Sequence, residues 1–154
     1  MDAPWYDDVS LPALLRHARQ TYASAMRAAL VDSGHHDIPK NGLYLIGGLA
    51  LETGRAPLAR LIQGLRVSKQ AAGQLVDALV AAGYLERSPD PVDRRRLTVS
   101  LTARGHAAAQ VQGAARARID AALLARVGAQ DLAALRRSLG ALIELDMAPQ
   151  DATR

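Results

Sequence analysis

The sequence has no cysteine, which excludes disulfides, thiolate metal ligands, cysteine nucleophiles and thiol redox sensors. It also has no phenylalanine, and its aromatic residues are one Trp and four Tyr. Every uninterrupted apolar run is shorter than the roughly 18 residues that a membrane-spanning helix needs. The first ten residues, MDAPWYDDVS, are acidic and contain no apolar run, so they do not resemble a secretion signal. These absences predict a cytoplasmic protein.

Catalytic patterns are missing as well. The chain has no glycine-rich phosphate loop after a strand and no HExxH metal motif. His35, His36 and Asp37 form a candidate metal site, because histidine and carboxylate ligands suit zinc. Adjacent histidines in a loop point apart, however, and no nearby residue completes a ligand set. The sequence therefore predicts no enzyme activity, no cofactor and no metal site, with a solvated loop at these histidines.

What the chain does have is apolar material and a concentration of positive charge. Hydrophobic residues make up 49% and charged residues 22% of 154 residues, which is typical of one folded domain per copy. Residues 53–106 carry nine Lys and Arg against four Asp and Glu, so this third holds the whole excess behind the net charge of +4. From Thr53 to Val76 there is no acid, but four cations: Arg55, Arg60, Arg66 and Lys69. The pattern favours a polyanion-binding surface, and a solvated basic face is the alternative.

Apolar residues recur at steps of three and four over six segments, which predicts amphipathic helices. The predicted helices cover residues 11–30, 43–52, 57–65, 68–83, 102–127 and a last stretch around 132–142. Ser68 and Thr102 stand where N-caps are expected, and Gly83 is a natural helix end.

Two short segments alternate instead with the period of half-buried strands, at 85–88 and 97–101. The stretch PDPVDRRR between them demands a turn. The sequence therefore predicts a β-hairpin with arginines at its tip, directly after a short helix, a tight turn and a second helix. This order is a winged helix-turn-helix, mainly α with a small β-hairpin wing.

Such a fold places the polar start of its second helix in the major groove of DNA. Glutamine amides pair with adenine, and arginine is favoured in a narrow minor groove. The residues predicted to contact DNA are Arg55, Ser68, Lys69, Gln70, Gln74, Arg94, Arg95 and Arg96. The alternative is a winged helix that docks on another protein and binds no specific DNA.

Two motifs resemble those of the multiple antibiotic resistance regulator (MarR) family. Asp93-Arg94-Arg95 followed by Thr102 in SLTARG resembles the family's wing signature, and VSKQAAGQLVDALVAAGYLER resembles its recognition helix. The resemblance implies that Arg95 enters the minor groove, that Asp93 supports the wing, and that Arg94 and Arg96 contact phosphates. The chain departs from the family pattern at Arg66, Gly73 and Gln74, where members often carry Gly, Ser or Thr, and Arg.

The terminal helices carry apolar stripes that one small core does not cover, and the resemblance implies that they form a homodimer. The predicted division is dimerisation helices in 1–34 and 103–154 around a DNA-binding lobe in 42–102, within a single domain spanning 1–154. The interface would bury Leu11, Leu15, Leu132, Leu135, Leu139 and Leu142, unless these stripes close a core within one chain.

The resemblance also implies a repressor of a palindromic operator, whose affinity for DNA changes when a small aromatic or anionic effector binds. The candidate effector pocket is lined by His17, Tyr22 and Tyr44. Tyr22 equally fits an ordinary core position on the first helix.

Overall fold

The computed structural model describes residues 4–65 and 67–147. Its elements, in chain order, are α1 (Leu11–Asp32), α2 (Gly42–Leu51), β1 (Arg55–Pro57), α3 (Leu58–Gly64), α4 (Lys69–Ala81), β2 (Leu85–Pro89), β3 (Leu97–Leu101) and α5 (Ala103–Met147). The predicted mainly helical fold with a hairpin wing is confirmed. The chain divides into two compact units after Arg116. Among the described residues, no helix combines the length and the apolar character needed to cross a bilayer.

The helix ends follow the capping residues that the sequence indicates. The Ser68 hydroxyl accepts the Ala71 N–H at 3.1 Å and caps α4. After α4 ends, Gly83 adopts a φ of 79°, which glycine reaches without the steric cost of a Cβ. The Thr102 hydroxyl accepts the Gly105 N–H at 3.1 Å at the start of α5. The predicted caps and the predicted stop are therefore confirmed.

The sheet has three strands rather than the two that the sequence pattern predicts. All pairs are antiparallel and the order is β1-β3-β2, with Arg55 opposite Ser100 and Leu85 opposite Leu101. Strand β1 is only three residues long and ends on a proline, so it shows no visible alternation. Ala56 is buried between exposed neighbours, which gives the short strand one core-facing side chain.

The core of the first unit is built from α2, α4, the sheet, the end of α1 and the first part of α5. Its largest fully buried side chains are Tyr84, Leu30, Ile46, Leu49, Leu79, Leu85, Gln112, Val76 and Val99. The apolar stripe of α1 is divided. Met26 and Leu30 are buried in this core, whereas Leu15 and Leu11, about three and four turns before Met26, are exposed.

A polar cluster around Tyr84 joins the α1–α2 loop to the start of α5. The Tyr84 hydroxyl donates to Asp37 Oδ1 at 2.5 Å, and His35 Nδ1 lies 3.2 Å from the same hydroxyl. Arg104 pairs with Asp37 at 3.1 Å and lies over the Tyr84 ring. Burial, followed by the Asp37 hydrogen bond, raises the pKa of Tyr84 to about 12, and that hydrogen bond lowers the pKa of Asp37. His35 and Asp37 thus have structural partners.

No group of three or more metal-ligating side chains lies together in residues 4–65 and 67–147.

Helix α5 is interrupted at Gly128, whose φ of 83° and ψ of 165° are not helical. The interruption falls where the sequence predicts that one terminal helix ends and the next begins.

Candidate nucleic-acid interface

Helix α4 has one buried face and one polar face. Ala72, Val76 and Leu79 are fully buried against the core. Four of the predicted DNA contacts are exposed: Ser68 and Lys69 at the N-terminal end of the helix, and Gln70 and Gln74 on the side away from the buried face. Because Ser68 caps the helix through its side chain, the residues after it start the helix at a defined position. The side chains predicted to read bases are therefore free to meet a ligand.

The wing, the hairpin of β2 and β3 with its turn at residues 90–96, is closed by its own hydrogen bonds. The Asp90 N–H donates to Arg96 O at 2.8 Å, and the Arg96 N–H donates to Asp93 O at 2.9 Å. The Asp90 carboxylate accepts the N–H groups of Val92 and Asp93 at 2.8 and 3.0 Å. This aspartate organises the turn that the stretch PDPVDRRR predicts, but it is not among the predicted site residues. The signal that was available is the preference of Asp for accepting backbone N–H groups two and three residues ahead.

Asp93 was predicted to support the wing, and the contacts give that role a geometric basis. Its Oδ1 accepts the Arg95 N–H at 3.1 Å, and its Oδ2 lies 3.5 Å from Arg96 Nε. The side chains of Arg94, Arg95 and Arg96 are all exposed. The insertion of Arg95 into a minor groove stays a prediction.

A groove of about 720 Å³ separates the wing from the helix-turn-helix. Lys69 at the start of α4 lines it on one side, and Arg95 and Arg96 line it on the other. The remaining wall includes Pro57, Leu58, Ala59, Ile62, Gln63, Val67 and Leu97. Arg95 and Arg96 of the wing and Lys69 at the start of α4 therefore line one concave surface.

The other predicted cations of this segment differ in their surroundings. Arg55 is exposed and lies at the start of strand β1. Arg60 pairs with Glu52 at 2.7 Å, so part of its charge is compensated. Arg66 lies outside the described residues.

The pKa of Asp90 gives a test of the wing turn. Hydrogen bonds from the backbone of Asp93 and Val92 lower the pKa of Asp90 below its usual 3.8. Because the pKa of Asp90 is lower in the folded protein than in the unfolded chain, the ionised carboxylate stabilises the turn fully above about pH 3.8. This stabilisation is lost as the pH falls through the pKa of the folded protein. We expect Asp90→Ala to accelerate amide exchange at Val92 and Asp93 at neutral pH, because both N–H groups lose their acceptor.

Asp90→Asn is the matched control, since its amide oxygen still accepts these N–H groups without titrating. This variant should keep slow exchange at the two amides at neutral pH. It should also lack the loss of protection that protonation of Asp90 causes at low pH. Hydrogen exchange followed by NMR at these two amides measures both effects. Equal exchange in the alanine variant and the unsubstituted protein would contradict the assigned role of Asp90.

The effector pocket predicted at His17, Tyr22 and Tyr44 stays a prediction. Tyr44 lines a cavity of about 250 Å³ between α1 and the start of α2. His17 is exposed and Tyr22 is half-buried against the core, and neither lines that cavity.

The chain is similar to known proteins in sequence and in fold. A family model described as "MarR family" matches residues 43–96. A probable transcriptional regulator from Pseudomonas aeruginosa is 30% identical, with a TM-score of 0.63, over 88% of this chain and 98% of that chain. RV1404 from Mycobacterium tuberculosis is 27% identical, with a TM-score of 0.67, over 97% of this chain and 100% of that chain. No curated protein sequence matches the chain.

A third structure shows the same fold at lower identity. It is a cysteine-to-serine mutant of MarR from E. coli complexed with operator DNA, and it is 22% identical with a TM-score of 0.69. The match covers 92% of this chain and 99% of that chain. The segment that matches the family model contains the helix-turn-helix and the wing turn. The similarity to the Pseudomonas protein covers 88% of the chain and so reaches beyond that segment. The protein therefore belongs to the MarR family of winged helix-turn-helix regulators.

Proposed function

We propose that the chain is a transcription regulator that binds double-stranded DNA sequence-specifically as a homodimer, and that it represses at a palindromic operator. The observation that carries the proposal is the groove between α4 and the wing, with Lys69 on one side and Arg95 and Arg96 on the other. Cations that line a concave surface on two sides complement the negative charge of a phosphate backbone. The exposed amides of Gln70 and Gln74 add hydrogen-bonding groups for base edges.

The similarity to E. coli MarR supports DNA as the partner. That protein was crystallised with operator DNA, and its fold matches nearly the whole of this chain. The segment that matches the family model contains the helix-turn-helix, strand β2 and the turn of the wing.

Exposed leucines on the terminal helices support a dimer. Leu11 is 70% exposed, and Leu135 and Leu142 are each 44% exposed. The other predicted interface residues are Leu15, which is exposed, and Leu132 and Leu139, which are half-buried. Large apolar side chains left in water on several helices are typical of a surface that a partner covers. A two-fold dimer would present two recognition helices to half-sites about one helical turn, roughly 34 Å, apart.

Repression would work by occluding a promoter. A small effector that binds differently to the free and the DNA-bound arrangements would shift the separation of the two recognition helices, and so relieve repression. Repression and ligand control both rest on the family resemblance alone.

Selection of bound duplexes from a random pool tests the proposal directly. We expect enrichment of an inverted repeat whose half-sites are centred about 10 bp apart, because the dimer's symmetry is imposed on its site. Failure to enrich any sequence, together with weak binding at low salt, would reject specific DNA binding and favour a winged helix that contacts another protein.

The enriched duplex then allows a test of base reading by Gln70. Gln70→Ala should weaken binding to the selected site by about 1–3 kcal/mol and should leave binding to random DNA nearly unchanged. Gln110→Ala, which removes an exposed glutamine of α5, serves as the control and should change neither affinity. Equal losses on selected and random DNA would remove Gln70 from the residues that read bases.

A further inference from the structure

The C-terminal end of α4 is held by polar contacts away from the residues that line the groove. Arg104, in the first turn of α5, donates one guanidinium N–H to the carbonyl oxygen of Ala82 and another to Asp37 Oδ1 at 3.1 Å. The Tyr84 hydroxyl donates to the same carboxylate at 2.5 Å, and the Arg104 guanidinium carbon lies 4.3 Å from the centroid of the Tyr84 ring. These three residues, Asp37, Tyr84 and Arg104, are the Tyr84 cluster. The cluster connects the end of α4 to the α1–α2 loop and to α5.

Thr102, which caps α5, adds two hydrogen bonds to the same junction. Its hydroxyl donates to the carbonyl oxygen of Gly83 at 2.6 Å, and its N–H donates to the carbonyl oxygen of Tyr84 at 3.1 Å. Ala82, Gly83 and Tyr84 directly follow α4, so three successive carbonyl oxygens are bonded to the start of α5. A cation such as Arg104 at the C-terminal end of a helix also interacts favourably with the helix dipole. The end of α4 is therefore fixed in direction by several hydrogen bonds.

Core packing alone would fix the angle of α4 less well than these bonds do. The buried face of the helix lies on apolar side chains, and apolar contacts have no preferred direction. Hydrogen bonds have a preferred angle as well as a preferred distance. The side chains of Asp37 and Arg104 are 38% and 42% exposed, so their ion pair contributes little to the free energy of unfolding. The Tyr84 cluster is therefore better suited to setting the angle of α4 than to stabilising the fold.

A small change in this angle would cause a large displacement at the other end of the helix. Helix α4 has 13 residues, so at about 1.5 Å per residue it is roughly 20 Å long. A rotation of about 10° around its C-terminal end would therefore displace Lys69 and Gln70, at the N-terminal end, by roughly 3.4 Å. Successive bases along one strand of duplex DNA are also about 3.4 Å apart. The angle of α4 thus decides the position of the recognition residues to within about one base pair.

We propose that the Tyr84 cluster sets the half-site separation that the homodimer accepts on DNA. The α1–α2 loop, which carries Asp37, directly follows α1, whose exposed Leu11 and Leu15 the proposed dimer would bury. The cluster thus connects the helix that would contact the partner copy with the helix that would read bases. Its members are positioning residues, because they act through α4 and not through contacts to DNA. The inference rests on the proposed function and adds a determinant of spacing to it.

Three duplexes with the same selected half-sites test the inference by fluorescence anisotropy: one keeps the selected separation, one has a base pair inserted at its centre, and one has a base pair removed. We expect the unsubstituted protein to bind both altered duplexes at least about tenfold more weakly, because the DNA must twist and bend to realign the half-sites. Arg104→Gln should reduce this preference to about threefold or less, because a less constrained α4 adjusts in place of the DNA. A fourth duplex, with a single half-site, should bind both proteins equally.

Asp37→Asn tests the same cluster by a smaller change. Its amide oxygen still accepts from the Tyr84 hydroxyl, but the charge that pairs with Arg104 is lost, so the spacing preference should fall by a smaller factor. The double variant with Arg104→Gln should show no weaker preference than Arg104→Gln alone, because both substitutions act through one contact. Arg118→Gln is the matched control, since it removes the same charge from an exposed position of α5 and should keep the full preference.

An unchanged spacing preference in Arg104→Gln would overturn the inference. An equal loss of affinity on all four duplexes would overturn it too, because general destabilisation of the fold produces that result. A preference that falls as far in Arg118→Gln would assign the effect to net charge, and equal binding of the unsubstituted protein to all three separations would leave nothing for the cluster to set. If circular dichroism shows that Arg104→Gln does not fold, Asp37→Asn decides by the same criteria.

The failure of the inference and the failure of the proposed function give different results. An unsubstituted protein that binds none of the duplexes would reject the proposed function, and the inference with it. Specific binding with a spacing preference that survives both Arg104→Gln and Asp37→Asn would reject the inference alone.

Discussion

Replacing Arg94, Arg95 and Arg96 together with alanine is expected to lower the affinity for duplex DNA about a hundredfold or more at physiological salt. All three side chains are exposed on the wing turn, and two of them line the groove opposite Lys69. Each phosphate contact that is lost should reduce the slope of log affinity against log salt by about 0.9, or by about 2.7 for three contacts. Fluorescence anisotropy of a labelled duplex over a salt series measures both quantities.

The control removes the same charge from another part of the chain. Arg126, Arg136 and Arg137 are exposed on α5, the first just before its interruption at Gly128 and the other two after it, and their triple alanine variant has the same net charge as the wing variant. We expect it to keep both the affinity and the salt slope. If the two triple variants lost affinity equally, the attraction to DNA would depend on net charge alone, and the wing would have no special role.

Gly105→Ala is expected to destabilise the protein by about 3 kcal/mol or more, which corresponds to a fall in Tm of roughly 6–12 °C. A Cβ at this position would collide with the backbone carbonyl oxygen of Tyr84 and lie 3.0 Å from Leu101 Cδ2. That carbonyl accepts the Thr102 N–H at 3.1 Å, so it does not move without breaking the junction between β3 and α5. Thermal unfolding followed by circular dichroism measures the effect.

Gly113→Ala provides the comparison within the same helix. A Cβ at Gly113 meets nothing closer than the Arg116 guanidinium at 3.9 Å. Here the ordinary preference of helices for alanine should dominate, and stability should rise by about 0.5–1 kcal/mol. A similar loss in both variants would mean that the close approach of α5 to Tyr84 does not constrain position 105.

The helices and the hairpin were predictable because their signals are local. Ser68 and Thr102 cap the helices that follow them, and Gly83 ends α4, since each acts on backbone groups within three or four residues of itself. Strand β1 was not predictable in this way. Its three residues become a strand only because β3, more than 40 positions later, supplies hydrogen-bonding partners.

The candidate site also has some features that local sequence signals predict and others that depend on how distant segments pack. The polar face of α4 and the arginines of the wing could be read from helical spacing and from a turn rich in Pro and Asp. The role of Asp90 depends on the backbone path of the turn, and the cavity beside Tyr44 depends on how α1 packs against the loop into α2. Arg16, Arg19 and Arg27 are separated from Lys40 in sequence, so no local pattern indicates that they surround one volume.

The central position of β3 has a consequence for the energetics of recognition. Because β3 is hydrogen-bonded on both sides, to β1 and to β2, the base of the wing is already held in one conformation before any partner arrives. The seven residues of the turn at 90–96 lie beyond this ladder and are held by the turn's own hydrogen bonds. The conformational entropy surrendered when the tip enters a groove is therefore confined to a short segment, and such preorganisation leaves more of the contact energy as net affinity.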